Sequence, residues 1–243
     1  MNNQGYEKSA KLYDIFDNKK NHDFFMEYAQ EQKEILDIGA GTGRIAIPLA
    51  KKKIDVYCVE PSRAMLDVFE KKISKIDIGG KIVLHKAFAS TFKIHQKFKI
   101  AFMSGCFDHF LTDTERIDSL INIRKHLEDD GRLVFDVFIG LMEESELVPA
   151  GEIQIDNRVY KRFVGGKIVD NHIKETKLTY EIFEDGKKID TIEEISPVGI
   201  TSRERIHKLL KIANYEICNE YSDFDFTTFK YGDDLLIIEA MKK

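Results

Sequence analysis

The stretch Glu34-Ile35-Leu36-Asp37-Ile38-Gly39-Ala40-Gly41-Thr42-Gly43-Arg44 decides the fold. Its first half is a short apolar run. Its second half places glycines at 39, 41 and 43, where a chain without Cβ atoms can turn tightly and a ligand can touch the backbone. Arg44 to Lys53 then reads as a helix, and the Lys51-Lys52-Lys53 cluster suits its negative C-terminal end. Strand, glycine turn and helix are therefore contiguous. Glu60 directly follows the next apolar run, Val56-Tyr57-Cys58-Val59, and stands 21 residues beyond Gly39. A carboxylate at that distance reaches ribose hydroxyls in a nucleotide-binding βαβ unit. The bland alternative is a tight turn without a ligand and a solvated Glu60.

The glycine spacing is GxGxG, and Arg44 takes the place of the third glycine of GxGxxG. That third glycine lets a helix pack closely while a pyrophosphate binds its N-terminus. Its replacement disfavours a dinucleotide and suits a nucleoside ligand without phosphates.

Outward from this core, helical spacing over Tyr6 to Phe16 and His22 to Gln32 gives an N-terminal cap, residues 1–33. Beyond it lie a helix over Ser62 to Ser74, strands at Lys81 to Leu84 and Phe98 to Met103, and a helix over Thr112 to Leu127. Asp130-Gly131 reads as a turn before a fifth strand, Leu133 to Phe138. Apolar strands separated by helices imply parallel βαβ units with right-handed crossovers. The pattern then changes. Glu152 to Ile200 alternates β-branched and aromatic residues with charges, which reads as about three antiparallel strands with one wet face. Hairpin turns are expected at Val164-Gly165-Gly166 and Glu184-Asp185-Gly186. Thr201, with Glu204 three residues on, reads as a capping box opening a last helix, and Tyr215 to Tyr221 and Leu235 to Met241 close the chain as strands. The expected fold is α/β, a doubly wound Rossmann-like sheet of seven strands. A small antiparallel lid, residues 145–197, is inserted after strand 5. Residues 34–140 and 198–243 form the core. A hairpin sheet inserted there lies over the carboxyl ends of the parallel strands, where ligands bind.

The 243 residues carry 37 Lys+Arg against 42 Asp+Glu, a net charge of −5, which argues against a broad basic surface for nucleic acid. An apolar content of 43% supports a real core. The longest stretches free of Asp, Glu, Lys and Arg, such as Ile100 to Phe107, are far too short to span a membrane. The polar start Met1 to Gly5 reads as no secretory signal. Cys58, Cys106 and Cys218 form no CxxC pair and read as buried small hydrophobes, and the histidines show no ligand spacing. A reduced, cytoplasmic compartment and no metal are expected.

Asp37-x-Gly39-x-Gly41-x-Gly43, Glu60-Pro61-Ser62, Phe102-Met103-Ser104 and the Asp130-Gly131-x-Leu133 strand together resemble a class I S-adenosylmethionine-dependent methyltransferase, over nearly the whole chain. The pattern is nearest to small-molecule N-methyltransferases of the amino-sugar and glycine type. The resemblance implies S-adenosylmethionine as cofactor and S-adenosylhomocysteine as product. It implies that Asp37 orders the loop and approaches the amino group of the methionine moiety, and that Gly39, Ala40 and Gly41 line that moiety, with Arg44 beside them. It implies that Glu60 holds the ribose hydroxyls and that Pro61, Ser62 and Met65 border ribose and adenine. Met103 and Ser104 would end the fourth strand beside the sulfonium. Two features depart from the pattern. The segment Lys86-Ala87-Phe88-Ala89-Ser90 lacks the acid that commonly accepts from the adenine amino group, which leaves adenine to packing on Phe88 and to groups around Ala89. Phe98-Lys99 stands where an aromatic-Asp pair often opens the fourth strand.

Methyl transfer from a sulfonium is an in-line displacement, for which a protein mainly supplies alignment and exclusion of water. The loop Ser104-Gly105-Cys106-Phe107-Asp108-His109-Phe110-Leu111 resembles the substrate loop of small-molecule N-methyltransferases, and Ala10-x-x-Tyr13-Asp14-x-Phe16 resembles their N-terminal segment. His109 is accordingly a candidate base or hydrogen-bond partner and Tyr13 a candidate positioning group. Their alternatives are a helix-flanking histidine and ordinary amphipathic packing. Cys106 follows Gly105 and not the proline of pyrimidine C5 methylation, and Ser104 to Phe107 lacks the Asn/Asp-Pro-Pro-aromatic run of base-amine methylation. Arg158, Arg162 and Arg203 could clamp an anion, with surface ion pairs to Glu175, Glu181 or Glu184 as the plainer account. The expected partner is a small-molecule acceptor methylated at nitrogen, with no nucleic acid, no membrane, and a homodimer as one way to pair lid sheets. Methylation at oxygen or carbon, or a nucleoside-binding protein without turnover, is the alternative.

Overall fold

Apolar runs that alternate with helices become the middle of one sheet. The computed structural model describes residues 6–17, 21–140 and 142–243; the expectation about Met1 to Gly5 lies outside them. The chain opens with α1 (Ala10–Tyr13) and α2 (His22–Ala29), followed by β1 (Glu34–Ile38), α3 (Ala46–Lys51), β2 (Asp55–Val59), α4 (Arg63–Ile73), β3 (Ile82–His85) and β4 (Phe98–Met103). A 3-10 turn at Phe107–His109 leads to α5 (Asp113–Lys125) and β5 (Leu127–Phe138). Four long strands come next, β6 (Ser145–Ile155), β7 (Arg158–Asp170), β8 (Ile173–Glu184) and β9 (Lys187–Gly199), and the chain ends with α6 (Arg203–Ile212), β10 (Tyr215–Tyr221) and β11 (Leu235–Lys242).

The main sheet has the order β10-β11-β5-β4-β1-β2-β3. Its members from β5 to β3 run parallel, and β11 is antiparallel to both β5 and β10. Helices cover both faces, so a central strand must be apolar on both sides. Ile35, Leu36 and Ile38 of β1 and Ile100 to Met103 of β4 are buried accordingly. The two faces carry separate cores. One gathers Phe98, Leu120, Ile123, Phe135, Leu209 and Ile238. The other gathers Phe24, Phe25, Ile47, Val56, Phe69 and Phe102, with the Phe25 and Phe102 rings 4.9 Å apart.

Helix starts follow side-chain capping. Ser62 accepts from the Met65 N–H at the start of α4, and Thr112 and Glu115 form a reciprocal capping box on α5. At α6 the structure corrects the expectation: Ser202, not Thr201, is the N-cap, and it accepts from the Arg205 N–H. The helix expected over Tyr6 to Phe16 contracts to one turn, α1.

The second sheet has four strands in the order β6-β7-β8-β9, one more than expected, because the strand pattern begins at Ser145. The turn at Asp185-Gly186 is present, with both residues at positive φ. The turn expected at Gly165-Gly166 is absent. These glycines sit in the middle of β7, opposite Lys177 and Thr176 of β8. A Cβ on Gly165 would lie 3.1 Å from the Leu147 backbone of β6, and one on Gly166 would lie 2.3 Å from Lys174 Cε. Gly165 thus serves the close approach of β6 and not a chain reversal, whereas Gly166 meets only the flexible end of the Lys174 side chain. The sheet turns Leu178 and Tyr180 toward Leu12 and Phe16 of the N-terminal segment. Among the described residues no helix is long and apolar enough to cross a membrane.

Candidate cofactor and acceptor site

The site grows from the loop after β1. Gly39 and Gly41 adopt φ of +70° and +55°, a conformation that favours glycine. A Cβ on Gly39 would come within 2.6 Å of Cys106, whereas one on Gly41 would have only the Gly39 carbonyl, 3.9 Å away, in its neighbourhood. The backbone at Gly41 thus borders open space. The loop is tied to the end of β2 by Gly39 N–H and Ala40 N–H, which donate to the Val59 carbonyl at 2.8 and 3.2 Å.

Two carboxylates are buried beside this bare backbone. Glu60 accepts from the Ser62 N–H at 2.8 Å through one oxygen and from the Gly41 N–H at 3.0 Å through the other. Asp37 is 2% exposed, and its Oδ2 has no hydrogen-bond partner. Burial pushes the Asp37 carboxyl up to about 7; the nearby Arg44 works against this and Glu60 with it. Burial likewise raises Glu60 to about 7, opposed by the Ser62 and Gly41 N–H groups. Both groups therefore favour a partner that stabilises their ionised forms.

A single cavity brings most of the sequence-selected residues together. Tyr13, Asp37, Gly39, Ala40, Gly41, Arg44, Glu60, Pro61, Met65, Phe88, Ala89, Ser104 and His109 all line it. Ser62 and Met103 do not. Ser62 is turned into the α4 cap, and Met103 is buried in the core at the end of the central strand β4. Sequence reasoning passed over Tyr6, Phe110, Glu115 and Ser119, which also line the cavity. A polar stripe at Glu115, Ser119 and Asn122, spaced four and three apart on an otherwise apolar helix face, was the readable trace of the last two.

The cavity has three chemically different regions. At one end, Asp37 and Arg44 set an anion and a cation close together. Arg44 pairs with Asp17 at 3.0 Å and also donates to Asn21, whose amide donates to Ser104 Oγ at 3.0 Å. The N-terminal segment is thereby stapled to the glycine loop, and Thr42 adds a 2.6 Å donation to Asp14. A second group of lining residues, Met65, Phe88, Ala89 and Phe110, is apolar and forms a slot to which Ser90, Glu115 and Ser119 add polar groups. A third group, Tyr6, Tyr13 and His109, forms an aromatic roof in the lining, the Tyr6 ring edge-on to Tyr13 at 5.2 Å and to His109 at 5.7 Å. Burial lifts the Tyr6 hydroxyl to about 12 and the Tyr13 hydroxyl well above its ordinary value, so both are neutral hydroxyls at neutral pH. The second sheet holds this roof down: Glu194 accepts from the Ser9 N–H at 2.8 Å and from its hydroxyl at 2.6 Å.

The donor set fits S-adenosylmethionine. The buried, unpartnered Asp37 oxygen suits an ammonium, Arg44 a carboxylate, Glu60 a diol and the apolar slot a purine, while the open face of Gly41 leaves room for a chain to lie on the backbone. Cys106 borders the cavity and burial holds its thiol well above the ordinary range, and Cys218 is exposed, so only Cys58 is the fully buried thiol the sequence suggested for all three. Arg158 pairs with Glu184, Arg203 pairs with Glu220, and Arg162 lies over the Phe16 ring and donates to the Ala150 carbonyl. Among the described residues no group of three His, Cys, Asp or Glu side chains could hold a metal ion.

Residues 35–131 match the family model described as a methyltransferase domain. A protein of Geobacillus sp. (strain WCH70) named as a methyltransferase is 27% identical over 142 residues, 54% of this chain and 57% of its own length. The chain thus spans little more than half of that relative. Among solved structures, an S-adenosylmethionine-dependent methyltransferase from Clostridium acetobutylicum superposes with a TM-score of 0.78 at 18% identity, over 98% of this chain and 96% of that one. An amino pentose methyltransferase from Micromonospora echinaspora, solved with its S-adenosylmethionine bound, gives 0.75 at 15% identity, over 96% of each chain. At these identities the structural likeness establishes the fold: seven mixed strands with an added antiparallel sheet, as in class I methyltransferases.

Proposed function

We propose, from the premise that residues 35–131 are a methyltransferase domain carried on the class I S-adenosylmethionine-dependent fold, that the chain transfers a methyl group from S-adenosylmethionine to nitrogen of a small-molecule acceptor. The observation that carries this reading is the three-part cavity: a zwitterion-matching end at Asp37 and Arg44, a diol-matching carboxylate at Glu60, and an aromatic roof over the space between. The amino pentose methyltransferase among the structural neighbours supports a small amine as acceptor.

When bound, the cofactor supplies a methyl already activated on a sulfonium. The chain's own contribution is alignment and dryness. Asp37, Glu60 and Arg44 would fix the cofactor at both ends of its amino-acid and ribose parts. Tyr6 and Tyr13, held by the Glu194 contact to Ser9, close the cavity from above and offer neutral hydroxyls to an acceptor. His109 lines the same space, and in this reading it takes a proton from an amine that must arrive with its lone pair free. No nucleophilic side chain is needed, and the raised Cys106 thiol is unsuited to be one.

The test is calorimetry with S-adenosylmethionine and S-adenosylhomocysteine, followed by a panel of small primary and secondary amines, alcohols and carbon acids scored by release of S-adenosylhomocysteine. Turnover confined to amines is expected. Failure of both nucleosides to bind would overturn the reading, and turnover with alcohols or carbon acids alone would overturn the choice of nitrogen.

A further inference from the structure

The apolar end of the cavity lacks an acid from the segment after β3, yet an acid reaches it from elsewhere. Glu115 and Ser119 stand one turn apart on α5, and both line the cavity with Phe88 and Ala89. Glu115 Oε2 accepts from the Leu111 N–H at 2.9 Å and from the Thr112 N–H at 3.2 Å, which orients the carboxyl. Its Oε1 accepts from none of the described residues. One further turn along the same face, the Asn122 amide donates to the Ala89 carbonyl at 3.0 Å and to the Phe92 carbonyl at 3.1 Å. Helix α5 therefore carries both the free carboxylate oxygen at the slot and the clamp that fixes the opposite wall.

We infer that α5 reads the purine: the Glu115 carboxylate accepts from the exocyclic amino group of adenine, Ser119 offers a second polar contact, and Asn122 is the positioning residue that holds the 88–92 loop at the right separation. The inference rests on the cofactor reading above. An ionised carboxylate only accepts, so it welcomes an amino group and repels a carbonyl oxygen at the same position. A hydroxyl or an amide can do either. Selectivity for adenine over hypoxanthine therefore belongs to Glu115 and not to Ser119. Glu115 sits at the exposed mouth of the slot, so the preference is modest, about tenfold, or about 1.4 kcal/mol.

The experiment compares S-adenosylhomocysteine with S-inosylhomocysteine by calorimetry on the full chain. Wild type is expected to bind the adenosyl compound about tenfold more tightly. Glu115→Gln keeps the capping box, because glutamine serves at that position as well as glutamate, and with its oxygen held by the Leu111 and Thr112 N–H groups its amide presents only the NH2 donor to the base. The ratio in that variant is expected to fall to about two or below. Ser119→Ala should weaken both ligands and leave the ratio unchanged. Asn122→Ala should weaken both and lower the ratio, with helix content intact by circular dichroism. A wild-type ratio near one, or a ratio that survives Glu115→Gln, overturns the inference while leaving the cofactor reading in place. Failure of wild type to bind either compound removes both.

Discussion

Lowering the pH should loosen the cofactor steeply, because the two carboxylates we assign to it line the buried cavity with proton affinities far above those of free side chains. Asp37 and Glu60 each lose their proton near about 7 in the folded protein, against ordinary values of 3.8 and 4.5. An ammonium beside Asp37 and a diol beside Glu60 both prefer the ionised form. Below pH 7 each carboxylate must shed a proton before it can serve, so affinity falls by about tenfold per pH unit for one group and about a hundredfold for both, about 1.4 kcal/mol per group and unit. The two carboxyls feel each other, so the slope belongs to the pair. Calorimetry with S-adenosylhomocysteine between pH 5.5 and 7.0, in two buffers of different ionisation heat, would give both the slope and the number of protons released. Expected are a slope between one and two and a release approaching two protons at the acid end. The unliganded protein should show the opposite trend. Acids whose folded proton affinity is raised contribute stability that is fully present below about pH 4 and lost as the pH climbs through about 7. The unliganded melting temperature should therefore gain from mild acid over that window, relative to a Glu60→Gln variant, while the increment produced by ligand shrinks. An affinity that stays flat from pH 5.5 to 7.0, with no proton release, would refute the assignment of these carboxylates to the ligand.

Three further outcomes follow from the geometry. Phe102→Ala removes a fully buried ring packed 4.9 Å from Phe25 and should destabilise the fold by about 3–5 kcal/mol in chemical denaturation, with no selective effect on ligand affinity. Gly41→Ala meets no steric obstacle in the protein but adds a methyl group to the face the ligand would cover and forces alanine to φ +55°; a stability loss of about 1–2 kcal/mol and a cofactor affinity lower by at least about tenfold are expected, read by melting and calorimetry on the same sample. His109→Ala should lower kcat with an amine acceptor by about a hundredfold, within the usual range for a general base, and leave cofactor affinity within about twofold; an unchanged kcat would return His109 to a packing role.

The glycine loop shows why part of the site could be read from the chain alone. Glycines that must take positive φ, an apolar run before them and a carboxylate at the end of the next strand are local requirements, written at fixed spacing, so Gly39, Gly41 and Glu60 could be selected from spacing and Asp37 from the family resemblance, and all four line the cavity. Phe88 and Ala89 were selected through the resemblance alone, and they too line the cavity. The roof was only half legible. Tyr13 lay in a helical pattern, but Tyr6 lines the cavity on a segment whose Lys8 and Ser9 are pinned by Glu194, 185 residues from Ser9. No local pattern encodes that contact.

What the sequence determined by itself was the order of elements and the class of ligand. Periods of two and of three to four in apolar residues, and the torsional demands of glycine, act within a few residues and leave their mark directly on the chain. What only the tertiary structure decided was where distant elements meet. The paired glycines of β7 looked like a reversal and proved to lie inside a strand, with Gly165 close against the backbone of β6. Arg44 looked like a lost glycine and proved to be a staple to Asp17 and Asn21. Glu115 was one charged residue in an expected helix, and the folding of α5 against the 88–92 loop brought it into the lining of the cavity beside Phe88 and Ala89. In each case the deciding term is packing between residues far apart in sequence, which local propensity neither contains nor opposes.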